Sequence, residues 1–245
     1  YFQTKLYTGN GGTQAITFDG SENMQPDWVW VKDRDTSGYN HVLNDSVRGV
    51  TKYLRSNLTN AEATITDAIT SFDNDGFTLG SDASNGESNR NTINYVSWNW
   101  KAGGSASSNT DGDITSSVSA STDAGFSIVS YTGNGSVGAT VGHGLSSAPE
   151  MVITKDRNAS YPWGVYHIGL DATSPEDKYI ELDSTAPAAD FNYWNDTKPS
   201  NTVVTLGSSA ANTTNGNNII MYCFHSVKGY SKFGSFTGNG NADGT

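Results

Sequence analysis

The chain has 245 residues and a net charge of −11, and 11% of its residues are aromatic but only 16% are charged. The acidic balance argues against nucleic acid and against anionic membrane surfaces, which attract basic patches, so we expect neither partner. No apolar run approaches the roughly 20 residues that span a bilayer, which predicts no membrane insertion. The single cysteine, Cys223, excludes a disulfide framework within the chain.

The sequence contains an internal repeat. Tyr-Thr-Gly-Asn-Gly at residues 7–11 recurs at 131–135, and Phe-Thr-Gly-Asn-Gly follows at 236–240. Further blocks recur in the same order: 26–34 with 149–157, 52–54 with 178–180, 78–80 with 205–207, and 95–100 with 219–224. A chain that repeats itself in this way is built from copies of one structural unit.

Short segments rich in aromatic and β-branched residues, bounded by Gly, Asn and Asp, predict strands in both copies. In the first copy they lie at 1–7, 13–18, 27–32, 41–43, 52–55, 76–80 and 94–100. In the second copy they lie at 126–132, 139–141, 151–155, 163–167, 179–182, 202–206 and 218–224. Residues 58–70 have a partly helical period, from which we expect one short helical turn near 59–63.

Residues 105–124 are mostly Gly, Ser, Thr and Asp, which is typical of a linker that is flexible or lies along the surface. We therefore predict a first β-sandwich repeat at 1–104, a second at 125–230 and the start of a third at 231–245. The expected fold class is all-β, with two tandem sandwiches of jelly-roll or lectin-like topology, turn-rich loops and little helix.

The aromatic residues fall into two groups by their sequence surroundings. Those in apolar or alternating strand segments are predicted to be core: Trp28, Trp30, Trp98, Trp100 and Phe224. Those in polar, turn-rich segments are predicted to be exposed: Tyr161, Trp163, Tyr193 and Trp194. Exposed aromatic rings form stacking platforms for sugars, so the second group is the predicted binding site.

Acidic residues that are close in sequence suggest glycoside hydrolysis, which needs two carboxylates about 5–10 Å apart. Asp33 recurs as Asp156, but each has a lysine and an arginine beside it. Ion pairs at strand ends explain that pattern more simply than catalysis. We therefore predict no catalytic residue and a protein that is not an enzyme.

Residues 73–76, Asp-Asn-Asp-Gly, resemble the start of a calcium loop. The position that would carry the glutamate of such a loop is Ser84, and the histidines have no paired spacing. An Asx-type turn is the simpler interpretation of this segment. We predict no metal and no cofactor, with calcium at Asp73 and Asp75 as the alternative.

Five segments carry a resemblance to a known family: 45–49, 75–80, 131–135, 194–196 and 222–234. Together they resemble the repeated domain of large structural proteins encoded by tailed phages, especially marine phages. The resemblance covers nearly the whole chain and lends no catalytic residues. It implies a virion structural protein, in a tail fibre or another surface appendage.

The same resemblance implies a place in the virion, as an extracellular appendage that is made in the host cytoplasm. The expected partners are further copies of the chain in a homo-oligomer (commonly a trimer in such fibres), other virion proteins, and a host-surface glycan or receptor. Two alternatives remain open: a polysaccharide depolymerase on the appendage, or a purely structural spacer or decoration module.

Overall fold

The computed structural model describes residues 1–242 and shows an all-β protein, which confirms the all-β class that the sequence predicts. In this range the helices are one α-helical turn, α1 (Ala210–Thr213), and one 3-10 turn, Pro175–Asp177. Neither helix is long or apolar enough to cross a membrane. The short helical turn expected near 59–63 is wrong, because a short strand begins at Ala63 and pairs with its neighbour.

Residues 1–104, here called the first half, contain nine strands. They are β1 (Phe2–Thr8), β2 (Gln14–Thr17), β3 (Trp28–Asp33), β4 (Val42–Asp45), β5 (Lys52–Arg55), β6 (Ala63–Thr64), β7 (Ile69–Asp73), β8 (Gly76–Leu79) and β9 (Asn94–Trp100). Six of them form a large antiparallel sheet in the order β1-β9-β3-β4-β5-β6. The other three form a small sheet in the order β2-β8-β7.

Residues 105–242, the second half, contain ten strands. They are β10 (Ser107–Asn109), β11 (Ser116–Ser121), β12 (Phe126–Thr132), β13 (Thr140–Gly142), β14 (Met151–Asp156), β15 (Gly164–His167), β16 (Lys178–Glu181), β17 (Ala189–Asp190), β18 (Val203–Thr205) and β19 (Asn218–Phe224). Eight of them form a large sheet in the order β10-β11-β12-β19-β14-β15-β16-β17, and β13 pairs with β18.

The predicted linker is wrong over much of its length, because residues 105–124 contribute β10 and β11 to the large sheet of the second half. Val118 and Ala120 alternate with serines along β11 and pack against the apolar core of that half. Ile114 is also buried. The serine-rich composition concealed a strand whose small apolar residues face the core.

The four sheets stack as layers around three apolar clusters. One cluster lies between the two sheets of the first half, and another lies between the two sheets of the second half. The third lies between the two large sheets, and we call this contact the junction. Strand β3 serves two clusters at once, since Val29 and Val31 face inside the first half whereas Trp28 and Trp30 face the junction.

The tyrosine of the repeat signature makes an equivalent hydrogen bond in both halves. The Tyr7 hydroxyl donates to the Ser88 carbonyl at 2.8 Å, and the Tyr131 hydroxyl donates to the Asn212 carbonyl at 2.9 Å, each across 81 residues. The glycine of the signature is required by close approach, because a Cβ on Gly9 would lie 2.3 Å from a backbone oxygen. The signature therefore ties the end of the first strand to a distant loop.

Residues 231–242, in the predicted start of a third repeat, form no named strand. Phe233 packs on Phe224, whereas Phe236 of the third signature is 95% exposed. The Tyr230 ring meets the Tyr1 ring edge-on at 6.0 Å, so the start of β1 and the segment after β19 lie together. Residues 243–245 of the predicted third repeat lie outside the described range.

Aromatic stacking and a buried polar network hold the two halves together at the junction. Trp28 stacks on Tyr222 with ring centroids 4.4 Å apart. The Tyr222 hydroxyl donates to Asp45 at 2.7 Å, and Asp45 also pairs with the Arg48 guanidinium. The side chains of Asp45 and Arg48 are fully buried. The attraction between the two charges therefore has to offset the hydration that each loses on burial.

Glu62 links this network to a second arginine. Its carboxylate accepts from Arg48 at 3.2 Å and from two nitrogens of Arg157 at 2.8 and 2.9 Å. The Glu62 backbone N–H also donates to the Arg157 carbonyl at 2.9 Å. Burial alone would lower the pKa of Arg48, but Asp45, Tyr222 and Glu62 raise it, so the guanidinium stays charged.

We expect Tyr7→Phe and Tyr131→Phe each to lower the free energy of unfolding by about 1 kcal/mol, because each leaves a buried carbonyl unpaired. The two losses should add in the double variant, since the sites share no partner. Urea unfolding checks both values, and Tyr230→Phe serves as an exposed control. A large loss for one variant and none for the other would contradict an equivalent role for the two tyrosines.

Arg48→Met should lower the free energy of unfolding by about 3–5 kcal/mol, because it leaves the buried Asp45 carboxylate without its counter-ion. Lys178→Met breaks the exposed ion pair with Asp190 and should leave the urea midpoint unchanged. Chemical unfolding followed by tryptophan fluorescence measures both. Equal, small effects would show that the buried network does not hold the halves together.

Candidate functional site

Trp163 was predicted to be exposed, and this prediction is wrong: its side chain is fully buried. The indole N–H donates to two carbonyls of the first half, those of Arg55 at 2.9 Å and Leu58 at 3.2 Å. Polar flanking residues made this tryptophan look like a surface residue. Its burial depends on the other half, which local sequence does not show.

The predicted exposure of Trp194 and Tyr193 is also wrong, since 1% and 3% of their surfaces are accessible. The Tyr193 hydroxyl shares a hydrogen bond of 2.9 Å with the Thr154 hydroxyl. The rings of Tyr193 and Trp194 pack against each other. Asn195 and Asp196 follow with positive φ values of 54° and 45°. This tight turn keeps the polar residues at the surface and the two rings inside.

Tyr161 and Tyr193 do come together, at a cavity of about 170 Å³ in the second half. The cavity is also lined by Tyr179, Phe191 and Glu181. Tyr179 stacks on Tyr193 with ring centroids 5.2 Å apart and lies 5.9 Å from Phe191. We call these five residues the tyrosine pocket; it contains two of the four predicted binding residues.

The tyrosine pocket combines aromatic walls with one carboxylate. Burial, followed by the charge of Glu181, raises the pKa of Tyr179 above its usual value. Tyr161 and Tyr179 are half-buried and Phe191 is 44% exposed, so the cavity opens to solvent. A pocket with these walls and one charged group has the composition of a small-ligand site.

Three tryptophans that were predicted to be core form a second aromatic surface. Trp30, Trp98 and Trp100 are half-buried and, with His41, line an open cavity of about 240 Å³ on the large sheet of the first half. We call these four residues the indole platform. Phe2 lies beside it with its ring 4.9 Å from that of Trp100.

The indole platform is open because of the offset between the two large sheets. In the repeat, Trp98 and Trp100 correspond to Tyr222 and Phe224, which the junction buries. Trp28 belongs to the junction cluster and Trp30 and Trp100 pack at its margin, whereas Trp98 is not part of it. The prediction of core positions is therefore right for Trp28 and Phe224. It is right only in part for Trp30 and Trp100, which are half-buried at the margin of the junction, and wrong for Trp98, which lies outside the cluster.

His41 gives the indole platform its polar group. The Trp30 indole N–H donates to Nδ1 of His41 at 2.9 Å, which places the proton of the neutral ring on Nε2. Burial, and then the nearby Lys32 ammonium, lower the pKa of His41. The ring is therefore neutral at pH 7.

The recurring aspartates close turns. Oδ1 of Asp33 accepts from the backbone N–H groups of Asp35 and Thr36, and Asp156 does the same for Asn158 and Ala159. Burial would raise the pKa of Asp33, but these bonds and an ion pair with an arginine lower it overall. This geometry favours a structural role for both carboxylates.

The turn at 73–76 uses its carboxylates in the same way. Asp73 accepts from the hydroxyls of Ser71 at 2.7 Å and Thr78 at 2.6 Å, and Asp75 accepts from the Met24 backbone at 3.1 Å. Within residues 1–242 no group of three or more acidic, histidine or cysteine side chains is placed to hold a metal. These hydrogen bonds give both carboxylates a structural role in the turn.

The fold and these two surfaces define a class of protein: an all-β repeat protein whose aromatic residues are divided between a sealed junction and open faces. A family model described as a domain of unknown function, DUF7483, matches residues 1–245, and the chain belongs to that family. No curated protein and no solved structure matches the chain.

Trp194 is buried and Trp98 is half-buried, which is the opposite of what the sequence predicts. Substitution of each tryptophan by alanine tests this difference. Trp194→Ala should cost about 3–5 kcal/mol of unfolding free energy, because it empties a buried site. Trp98→Ala should cost clearly less, because its ring is only half-buried. Urea unfolding gives both values, and acrylamide quenching of the remaining fluorescence checks which ring was exposed. Equal losses would contradict an open platform.

Proposed function

We propose that this chain is a non-enzymatic structural component of a tailed-phage virion, part of a tail fibre or another surface appendage. In this proposal it contacts a host-surface glycan through the indole platform. The observation that carries the proposal is the set of half-buried rings of Trp30, Trp98 and Trp100, which line an open cavity on one sheet face. Rings presented in this way can stack on the apolar faces of sugar rings.

The neighbourhood of the platform has the mixture that ligand sites use, with apolar walls and a few polar groups. Nε2 of the neutral His41 ring carries a hydrogen-bond donor next to the Trp30 indole. A further cavity of about 190 Å³ shares Trp30 and Trp100 with the platform and is also lined by Met151 and Phe233.

The junction supports the structural part of the proposal. A buried ion network and stacked rings fix the two halves as one body, as a particle-borne appendage requires. The net charge of −11 suits a protein displayed in solution on a particle. Further copies of the chain and other virion proteins are the proposed assembly partners, with the homo-oligomer as the expected state.

A glycan-array screen of the purified chain tests the proposal, with retained protein and released sugar both recorded. We expect retention without release. Trp98→Ala should weaken retention by about tenfold through the lost stacking. Phe236→Ala removes an aromatic ring that is exposed but distant in sequence from the platform, and it should change nothing.

Each other outcome counts against a definite part of the proposal. Released sugar would favour the depolymerase on the appendage. Retention that survives Trp98→Ala would move the site away from the platform. The absence of both retention and sugar release, with a folded protein, would favour a spacer or decoration module over both other interpretations.

A further inference from the structure

Two tyrosine rings of the first half are each in contact with an arginine of the same half. The Arg55 guanidinium lies 4.9 Å from the centre of the Tyr53 ring and pairs with Glu87 at 2.8 Å. Arg90 lies 3.6 Å from the centre of the Tyr39 ring. Two tyrosine rings of this half thus each hold a guanidinium group, an arrangement favoured by the negative face of the ring.

Strand register identifies the corresponding residues of the second half. In the first half Arg55 pairs with Val42, the first residue of β4, and in the second half Glu181 pairs with Gly164, the first residue of β15. Tyr179 precedes Glu181 by the same interval by which Tyr53 precedes Arg55. Glu181 therefore stands where the first half has an arginine.

The remaining parts of the site correspond in the same way. Tyr39 lies three residues before β4, and Tyr161 lies three residues before β15. Tyr7 and Tyr131 make equivalent hydrogen bonds, so their acceptors, Ser88 and Asn212, occupy corresponding positions in the two halves. The residues that precede these acceptors, Glu87 and Ala211, therefore also correspond.

The second half thus keeps the tyrosines and lacks the arginines. By the same alignment Arg90 corresponds to Thr214, and Arg55 corresponds to Glu181. What results is the tyrosine pocket, a cavity of about 170 Å³ with Ala211 in its wall. No lysine or arginine among residues 1–242 forms an ion pair with Glu181.

We propose that the tyrosine pocket binds a guanidinium group supplied from outside the chain. Glu181 is the counter-ion, and the rings of Tyr161 and Tyr179 provide the faces on which the planar cation stacks. Guanidinium fits better than a compact ammonium, because it stacks on rings and accepts a carboxylate along one edge. The first half shows the same chemistry satisfied internally.

This inference does not depend on the indole platform or on a glycan. The guanidinium can come from a free small molecule or from an arginine side chain of a polypeptide. Both sources share the recognition chemistry and differ in what surrounds it. Two probes separate them: arginine amide and the capped peptide acetyl-Gly-Arg-Gly-amide.

Isothermal titration calorimetry of the intact chain with each probe tests the proposal. We expect saturable binding of at least one probe, weakened by added salt, and tighter binding of the peptide if the source is a polypeptide. Citrulline amide, the uncharged isostere of arginine amide, should bind about tenfold more weakly or not at all. Equal binding of citrulline amide, or no saturable binding of either arginine probe, would overturn the proposal.

Variants locate the site. Glu181→Gln should weaken binding by about tenfold with little change in thermal stability, because the side chain is only half-buried. Glu22→Gln alters an exposed carboxylate of the first half and is the matched control. Unchanged binding in the folded Glu181→Gln variant would place the cation elsewhere and refute the assignment.

The first half also supplies a design that should close the pocket. The double variant Glu181→Arg with Ala211→Glu rebuilds the Arg55–Glu87 pair at the equivalent positions. It should abolish binding of both probes while the protein stays folded, as circular dichroism would show. Binding that persists in this folded variant would contradict the correspondence between the two sites.

Discussion

Buried charge at the junction is the constraint on which the rest of the structure depends. Asp45 and Arg48 lie in the first half without access to water, and the Tyr222 hydroxyl of the second half completes their network. Apolar surfaces tolerate sliding, whereas a buried ion pair tolerates only the positions that keep it paired. The offset between the large sheets is thereby fixed. That offset buries Trp163 and leaves Trp98 only half-buried.

Local patterns predicted much of the fold because strand alternation, turn residues and repetition act over short distances. The all-β class and most strand positions came from these patterns. The strand at 116–121 was missed because only Val118 and Ala120 alternate with its four serines. The site was predicted less well, since the burial of Trp163, Trp194 and Trp98 is decided by which sheet faces which. The structure places Tyr161 and Tyr193, two of the predicted binding residues, in one pocket. The carboxylate of that pocket, Glu181, could not be recognised from the sequence without a comparison of the two halves.

The two halves show which features of the repeat the backbone needs and which are free to change. The tyrosine hydroxyl bonds and the glycine of the signature recur because they close the same loop in the same geometry. Where one half has Arg55, the other has Glu181, and the same framework carries opposite charge at one point on its surface. Divergence of this kind gives two related units different surfaces at little cost to the fold.

The contact between the rings of Tyr1 and Tyr230 has a mechanical consequence. Tyr1 and Tyr230 lie at opposite ends of the two halves in sequence but at neighbouring points in space. A pulling force applied between these two residues would therefore load the ring contact before it loads the core of either half.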